Sequence, residues 1–154
     1  MCTRTIDSPV GRLKLTSRDG ELVGVAFGAA RPVGEPDATL EIASRQLEEY
    51  FDGSRREFDL PLAPPRDDLL GRVLTALAGV PYGETVTYKE LTIAAGLDPD
   101  RVREVGAALG RNPLAIVLPC HRVIGSDGSL VGFGGGLERK RALLDLEAPQ
   151  LQLA

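Results

Sequence analysis

Pro61-Leu62-Ala63-Pro64-Pro65 breaks this chain in two. Successive prolines favour extended backbone and resist helix, so no long element runs through them. A chain of 154 residues holds one ordinary domain or two small ones. The break selects two, 1–63 and 64–154. Hydrophobic residues make up 43% and charged residues 26%, the balance of a globular protein. No apolar run approaches the length of a membrane span, and no secretory signal precedes the first strand. A cytoplasmic protein without a membrane partner is the expectation. Two cysteines in unlike contexts make no disulfide framework, and a single histidine without clustered cysteines makes no zinc site.

The first part reads as strands followed by a helix. Cys2–Ile6 is one strand, and Leu13 and Leu15 alternate with polar residues in a second. The Asp19-Gly20 pair is a hairpin turn, and Leu22–Phe27 is the returning strand. Leu40, Ala43, Leu47, Tyr50 and Phe51 share one face of a helix stopped by Gly53. Glu57–Leu60 is a candidate fourth strand. No catalytic constellation is visible here, which suggests a structural α/β domain with Cys2 incidental.

The second part opens with a helix whose apolar side is Leu69, Leu70, Val73, Leu74 and Leu77. A helix–turn–helix follows. Thr87 and Glu90 have capping-box spacing, and Gly96 closes the first helix. Asp98 caps the second, with Pro99 at its first position, and it runs from Arg101 to Gly110. Gly106 and Gly110 share a face with Ala107 alongside. Glycine is costly inside a helix, so this face either packs closely on another element or approaches a nucleic-acid groove. The helix alone does not choose.

Chemistry concentrates at Pro119-Cys120-His121-Arg122-Val123. There one of the two cysteines stands beside the only histidine, after an apolar run, Ala115–Leu118, that reads as a strand. The thiolate is the nucleophilic form of cysteine, and a neighbouring proton acceptor raises its population. Adjacency alone does not establish this, because neighbours on a strand point to opposite faces. Downstream, Gly132-Phe133-Gly134-Gly135-Gly136 is a loop that lets backbone N–H groups approach a ligand. In the final helix, Leu137–Glu147, Glu147 falls on the apolar face and needs a partner. Lys140 and His121 are the two candidates. If His121 is the partner, Cys120, His121 and Glu147 form a nucleophile–base–orienter set. A thiolate attacks either an acyl carbon or a saturated one. The glycine loop, the aromatic and the helix–turn–helix favour an aromatic base carried by DNA. The net charge of −4 argues against binding mainly by phosphate neutralisation. Residues 100–141 nonetheless carry seven Lys/Arg against four Asp/Glu, net +3, in the segment that holds Cys120.

Pro119-Cys120-His121-Arg122-Val123-Ile124 resembles the active-site signature of the O6-alkylguanine-DNA alkyltransferases, also called methylated-DNA–protein-cysteine methyltransferases. Arg4–Gly11, Pro81–Thr85, Arg111-Asn112-Pro113, Gly134–Leu137 and Arg139–Leu144 follow the family's order and spacing. The resemblance implies a ribonuclease-H-like α/β domain followed by a winged-helix-like helix–turn–helix domain. It implies irreversible transfer of an alkyl group from guanine O6, with O4 of thymine a further candidate, to Cys120. The base is flipped out of the duplex. The implied partner is double-stranded DNA containing O6-alkylguanine; no cofactor or metal is implied, and the protein is a monomer away from DNA. His121 and Glu147 match the proton relay, Asn112 the link between helix–turn–helix and site, and Tyr88 the hydrogen bond to the flipped guanine. Arg103, or Arg101 if the turn is one residue longer, fills the space the base leaves. Gly106, Ala107 and Gly110 lie in the minor groove, with Arg111 beside them. The Cys120 and Val123 carbonyls read the base, Gly134 N–H lies near O6, Phe133 walls the pocket and Gly135 leaves room beside the sulfur. Arg122 holds loops around the site.

Three departures stand out. Phe133 replaces the family's usual Tyr, and Leu69, Leu70 and Leu74 replace Phe, Gln and Trp. Asp98-Pro99-Asp100-Arg101 replaces a small, Ala-rich approach to the recognition helix. Two rival readings are a turnover cysteine hydrolase and a lesion-binding module without chemistry.

Overall fold

A computed structural model describes residues 1–64, 66–129, 133 and 135–148. The chain forms two compact units. The first comprises Met1–Pro64 with Pro113–Val117, and the second the remaining residues.

In the first unit, strands β1 (Cys2–Ile6), β2 (Leu13–Arg18) and β3 (Glu21–Phe27) form an antiparallel sheet in that order. Asp19 and Gly20 both take positive φ, 51° and 79°, as a primed hairpin turn requires. Leu13, Leu15 and Ser17 point inward by strand alternation. Helix α1 (Ala38–Phe51) covers them with Leu40, Ala43, Leu47 and Tyr50, all fully buried or nearly so. Burying each leucine contributes about 2 kcal/mol. Asp37 caps α1, accepting from Leu40 N–H at 2.8 Å and from the Ser17 hydroxyl at 2.5 Å. The expected strand at Glu57–Leu60 does not form. Buried Gln46 takes its place as partner, bonding both the N–H and the carbonyl of Asp59 at 2.9 Å.

Ala115–Leu118 is also not a strand. Val25 N–H donates to Pro113 O, and Ala115 N–H donates to Val25 O, so the run docks beside β3 through a single bridge. The chain then turns sharply. Ile116 has φ 71°, and Val117 N–H bonds Ala115 O at 2.8 Å. A β-branched residue in the left-handed region costs roughly 1–2 kcal/mol, which the burial of Ile116 offsets.

In the second unit, α2 (Leu69–Ala78), α3 (Tyr88–Ala94) and α4 (Val102–Leu109) enclose a core of Val73, Leu77, Leu91, Leu97, Val105, Ala108, Leu109 and Val123. The Thr87–Glu90 capping box forms, and Gly96 at φ 78° ends the first helix of the pair. Asp98 caps a 3-10 turn, Pro99–Arg101, so α4 itself begins at Val102, three residues after the Pro99 start that the sequence pattern suggests. Short strands β4 (Val86–Thr87) and β5 (Val123–Ile124) pair in parallel beside the helices. Helix α5 (Leu137–Glu147) completes the unit and buries Lys140, Leu143 and Glu147.

A candidate active site on the Cys120 turn

Cys120, His121 and Arg122 form a 3-10 turn, not a strand end. Successive side chains on such a turn diverge by about 120°. Sulfur and imidazole therefore need not point to opposite faces. The chain leaves the second unit after Asn112 and returns at Leu118, and the Asn112 amide closes the excursion by donating to Leu118 O at 2.9 Å. Asn112 also hydrogen-bonds the Cys120 thiol. Burial pushes that thiol above its ordinary range, while the Asn112 bond, the Cys120 and His121 N–H groups and the Lys140 charge pull it back. The resting nucleophile is thus a protonated thiol that needs a base.

His121 is completely buried and meets Glu147 Oε2 through Nε2 at 2.6 Å. Of the two candidate partners for Glu147, the structure selects the histidine. Arg122 engages the same carboxylate twice, Nε to Oε1 at 2.8 Å and Nη2 to Oε2 at 3.0 Å. Gly83 N–H donates to Oε1 at 3.2 Å. A carboxylate receiving these donors is an acceptor on both oxygens, so Nε2 carries the imidazole proton. Nδ1 then holds the lone pair. It is buried and has no hydrogen-bond partner among the described residues. Burial lowers the His121 pKa from its ordinary value of 6.5, against the raising effect of Glu147. The ring is a neutral base at neutral pH.

Lys140 lies two turns before Glu147 on α5. Seven residues on one helix face are about 10 Å apart. Its Nζ lies 5.9 Å from the centroid of the Tyr88 ring, and its charge acts on Cys120. Burial lowers the Lys140 pKa. Burial, reinforced by Cys120, raises that of Tyr88, which stays a neutral phenol able to donate. The sequence signal for Lys140 was its place on the apolar stripe of α5, read there only as a partner for Glu147.

The remaining expected residues separate by position. On α4, Arg103 and Ala107 are exposed, as are Gly110 at its C-cap and Arg111 just beyond. Gly106 is half-buried. A Cβ added there would sit 3.9 Å from Tyr88 Cε1, an ordinary contact. At Gly110 it would meet only carbonyls of its own helix, the nearest at 3.4 Å. Packing inside the protein therefore demands neither glycine. Arg101 is paired with Glu104 at 2.6 Å, whereas no ion pair engages Arg103 among the described residues. Val123 is buried in the core as part of β5. Phe133 and Gly135 are half-buried, and Gly135 O accepts from Arg139 at 3.3 Å. Gly134 lies outside the described residues.

Residues 1–64 match the ribonuclease-like domain of 6-O-methylguanine DNA methyltransferase, and residues 68–149 match its DNA binding domain. A methylated-DNA–protein-cysteine methyltransferase of Methanosarcina barkeri is 44% identical over 96% of this chain and 97% of its own length. One of the same name from Mycobacterium tuberculosis is 45% identical over 94% of this chain and 90% of its own. A crystal structure of Mycobacterium tuberculosis OGT in complex with DNA superposes with a TM-score of 0.86 at 44% identity, covering 96% of this chain and 93% of that one. No helix among the described residues is long and apolar enough to cross a membrane. The mixed α/β unit and the helix–turn–helix unit agree with these matches along nearly the whole chain. The chain belongs to the 6-O-methylguanine DNA methyltransferase family.

Proposed function

We propose that this protein repairs double-stranded DNA by taking the alkyl group of O6-alkylguanine, and of O4-alkylthymine where that fits, irreversibly onto Cys120. The observation that carries the reading is the neutral imidazole of His121. Its acceptor nitrogen, Nδ1, is buried with no hydrogen-bond partner among the described residues, on the residue next in sequence to the protonated Cys120 thiol, and its donor nitrogen is held by Glu147. In the reaction, the thiol proton passes to Nδ1, directly or through one water. A C–S bond forms as the C–O6 bond breaks, and the bonding pair leaves on guanine. The neutral Tyr88 phenol donates to the departing base. The proton removed from sulfur equals the proton the guanine needs. A thioether remains, with nothing to cleave it, so each molecule acts once.

The target base is extruded, because a base stacked in the duplex cannot reach the half-buried Cys120. Helix α4 approaches the minor groove with Gly106, Ala107, Gly110 and Arg111. The absence of any internal packing demand for the two glycines supports this reading over close packing. Arg103 fills the space of the flipped base, since Arg101 is held by Glu104. The Cys120 and Val123 carbonyls, the Gly134 N–H, Phe133 and Gly135 frame the guanine. Asn112 positions the sulfur. The protein acts as a monomer until it meets DNA, in the cytoplasm, where reducing conditions keep Cys120 free.

Cys120→Ser tests the assignment. It is expected to bind duplex DNA containing O6-methylguanine while transferring no radiolabelled methyl group to protein. Transfer by the Ser variant at the wild-type extent contradicts Cys120 as acceptor.

A further inference from the structure

Arg122 has more contacts than a brace for loops requires. Its guanidinium is almost fully buried and grips Glu147 through both carboxylate oxygens, while Nη1 donates to Val80 O at 2.8 Å. The Tyr82 ring lies 5.7 Å from its central carbon. The Val80–Gly83 turn thus brackets the ion pair, supplying a carbonyl to Arg122 and an N–H to Glu147. His121 shares Oε2 with this fork. Four groups able to carry charge therefore bear on the imidazole or on Cys120: Glu147 and Lys140 from α5, Arg122 from its own turn, and Tyr88 from α3.

We propose that Arg122 is a positioning residue that keeps His121 uncharged and in the Nε2–H tautomer until Cys120 delivers its proton. The charge balance gives the reason. A buried Glu147 alone would draw a second proton onto the imidazole and form an imidazolium–carboxylate pair. Nδ1 would then be occupied and unable to accept from the thiol. Arg122 supplies the positive charge instead, from a group that does not give up its proton. With Glu147 neutralised, an imidazolium would add a further positive charge within reach of those on Arg122 and Lys140. The guanidinium fork and the Gly83 N–H hold both carboxylate oxygens in place, so the Nε2–H contact to Oε2 fixes the ring.

This inference rests on His121 as the base for Cys120, but its test does not need DNA. The chain has a single histidine, so imidazole nitrogen NMR reads one ring without ambiguity. In the wild-type protein the ring is expected to remain the Nε2–H tautomer as the pH falls through its ordinary midpoint of 6.5. In Arg122→Met the titration midpoint is expected to rise by about one unit or more. Arg122→Lys, which keeps the charge and loses the fork, is expected to restore most of the low midpoint. Should Arg122→Met not fold, Glu147→Gln and Glu147→Gln/Arg122→Met make the same comparison without an unpaired carboxylate, and the double variant is expected to titrate higher. The acid limb of single-turnover transfer should move with the midpoint. Equal midpoints within either pair of folded proteins would overturn the role of Arg122. If the midpoints move as stated while Cys120 takes no alkyl group from DNA, the proposed function fails and the Arg122 assignment stands.

Discussion

Arg122 and Glu147 bring opposite charges out of water, and each makes the other tolerable. Removing one partner of a buried pair leaves an uncompensated charge and costs roughly 3–5 kcal/mol. Arg122→Met should therefore lower the denaturation midpoint strongly, and Glu147→Gln/Arg122→Met should recover part of the loss. A double variant no more stable than Arg122→Met would show that the pair is not the source. Tyr88→Phe keeps the ring over Lys140 and removes only the hydroxyl. It is expected to slow single-turnover transfer by roughly 10²-fold at unchanged stability; an unchanged rate would remove Tyr88 as donor to the leaving base. Cys120 and His121 were legible in the sequence because the only histidine adjoins one of two cysteines. Glu147 was legible because a carboxylate on an apolar stripe demands a partner. The charges of Arg122 and Lys140 were not, since a basic residue near a site reads equally well as surface until burial is known.

At the scale of elements, α4 and its C-cap carry two glycines, Gly106 and Gly110, that the fold itself does not need. Gly106→Ala and Gly110→Ala should each stabilise the free protein by about 0.5–1 kcal/mol while weakening repair of duplex DNA. Unchanged repair by both would return the glycines to helix packing alone. Arg103→Ala should impair base extrusion, read by fluorescence of a base analogue opposite the lesion, more than Arg101→Ala does. The reverse order would place Arg101 in the gap. Caps and turns made α1, α3 and the hairpin readable, because Asp37, Thr87 and Asp19-Gly20 act locally. The strands expected at Glu57–Leu60 and Ala115–Leu118 failed for a non-local reason. Gln46 claims the backbone of one, and β3 takes a single bridge from the other before Ile116 turns the chain.

For the molecule as a whole, the site sets a pH window of stability. Burial lowers His121 below 6.5, so the unfolded chain binds the extra proton first as pH falls. Stability should therefore be full above about pH 7 and decline below 6.5. Cys120 is raised above its ordinary 9.0, so the folded state holds its proton longer and stability should also decline above that pH. Lys140, lowered from 10.5, opposes this second decline as its own proton leaves in the folded state. Urea titrations at pH 5.5, 7.5 and 9.5 read both flanks, and equal stability at 5.5 and 7.5 would contradict a neutral buried His121. The two-part division was legible at Pro61–Pro65, but the return of Pro113–Val117 to the first unit was not, since no local signal marks it. The central claim is that Cys120 is consumed by alkyl transfer. Intact-protein mass spectrometry after incubation with duplex DNA containing one O6-methylguanine tests it most directly. The account predicts a stoichiometric gain of one methyl group, mapped to Cys120 and absent with unmodified DNA. Tight binding with no change in mass would contradict it and leave a lesion-binding protein without chemistry.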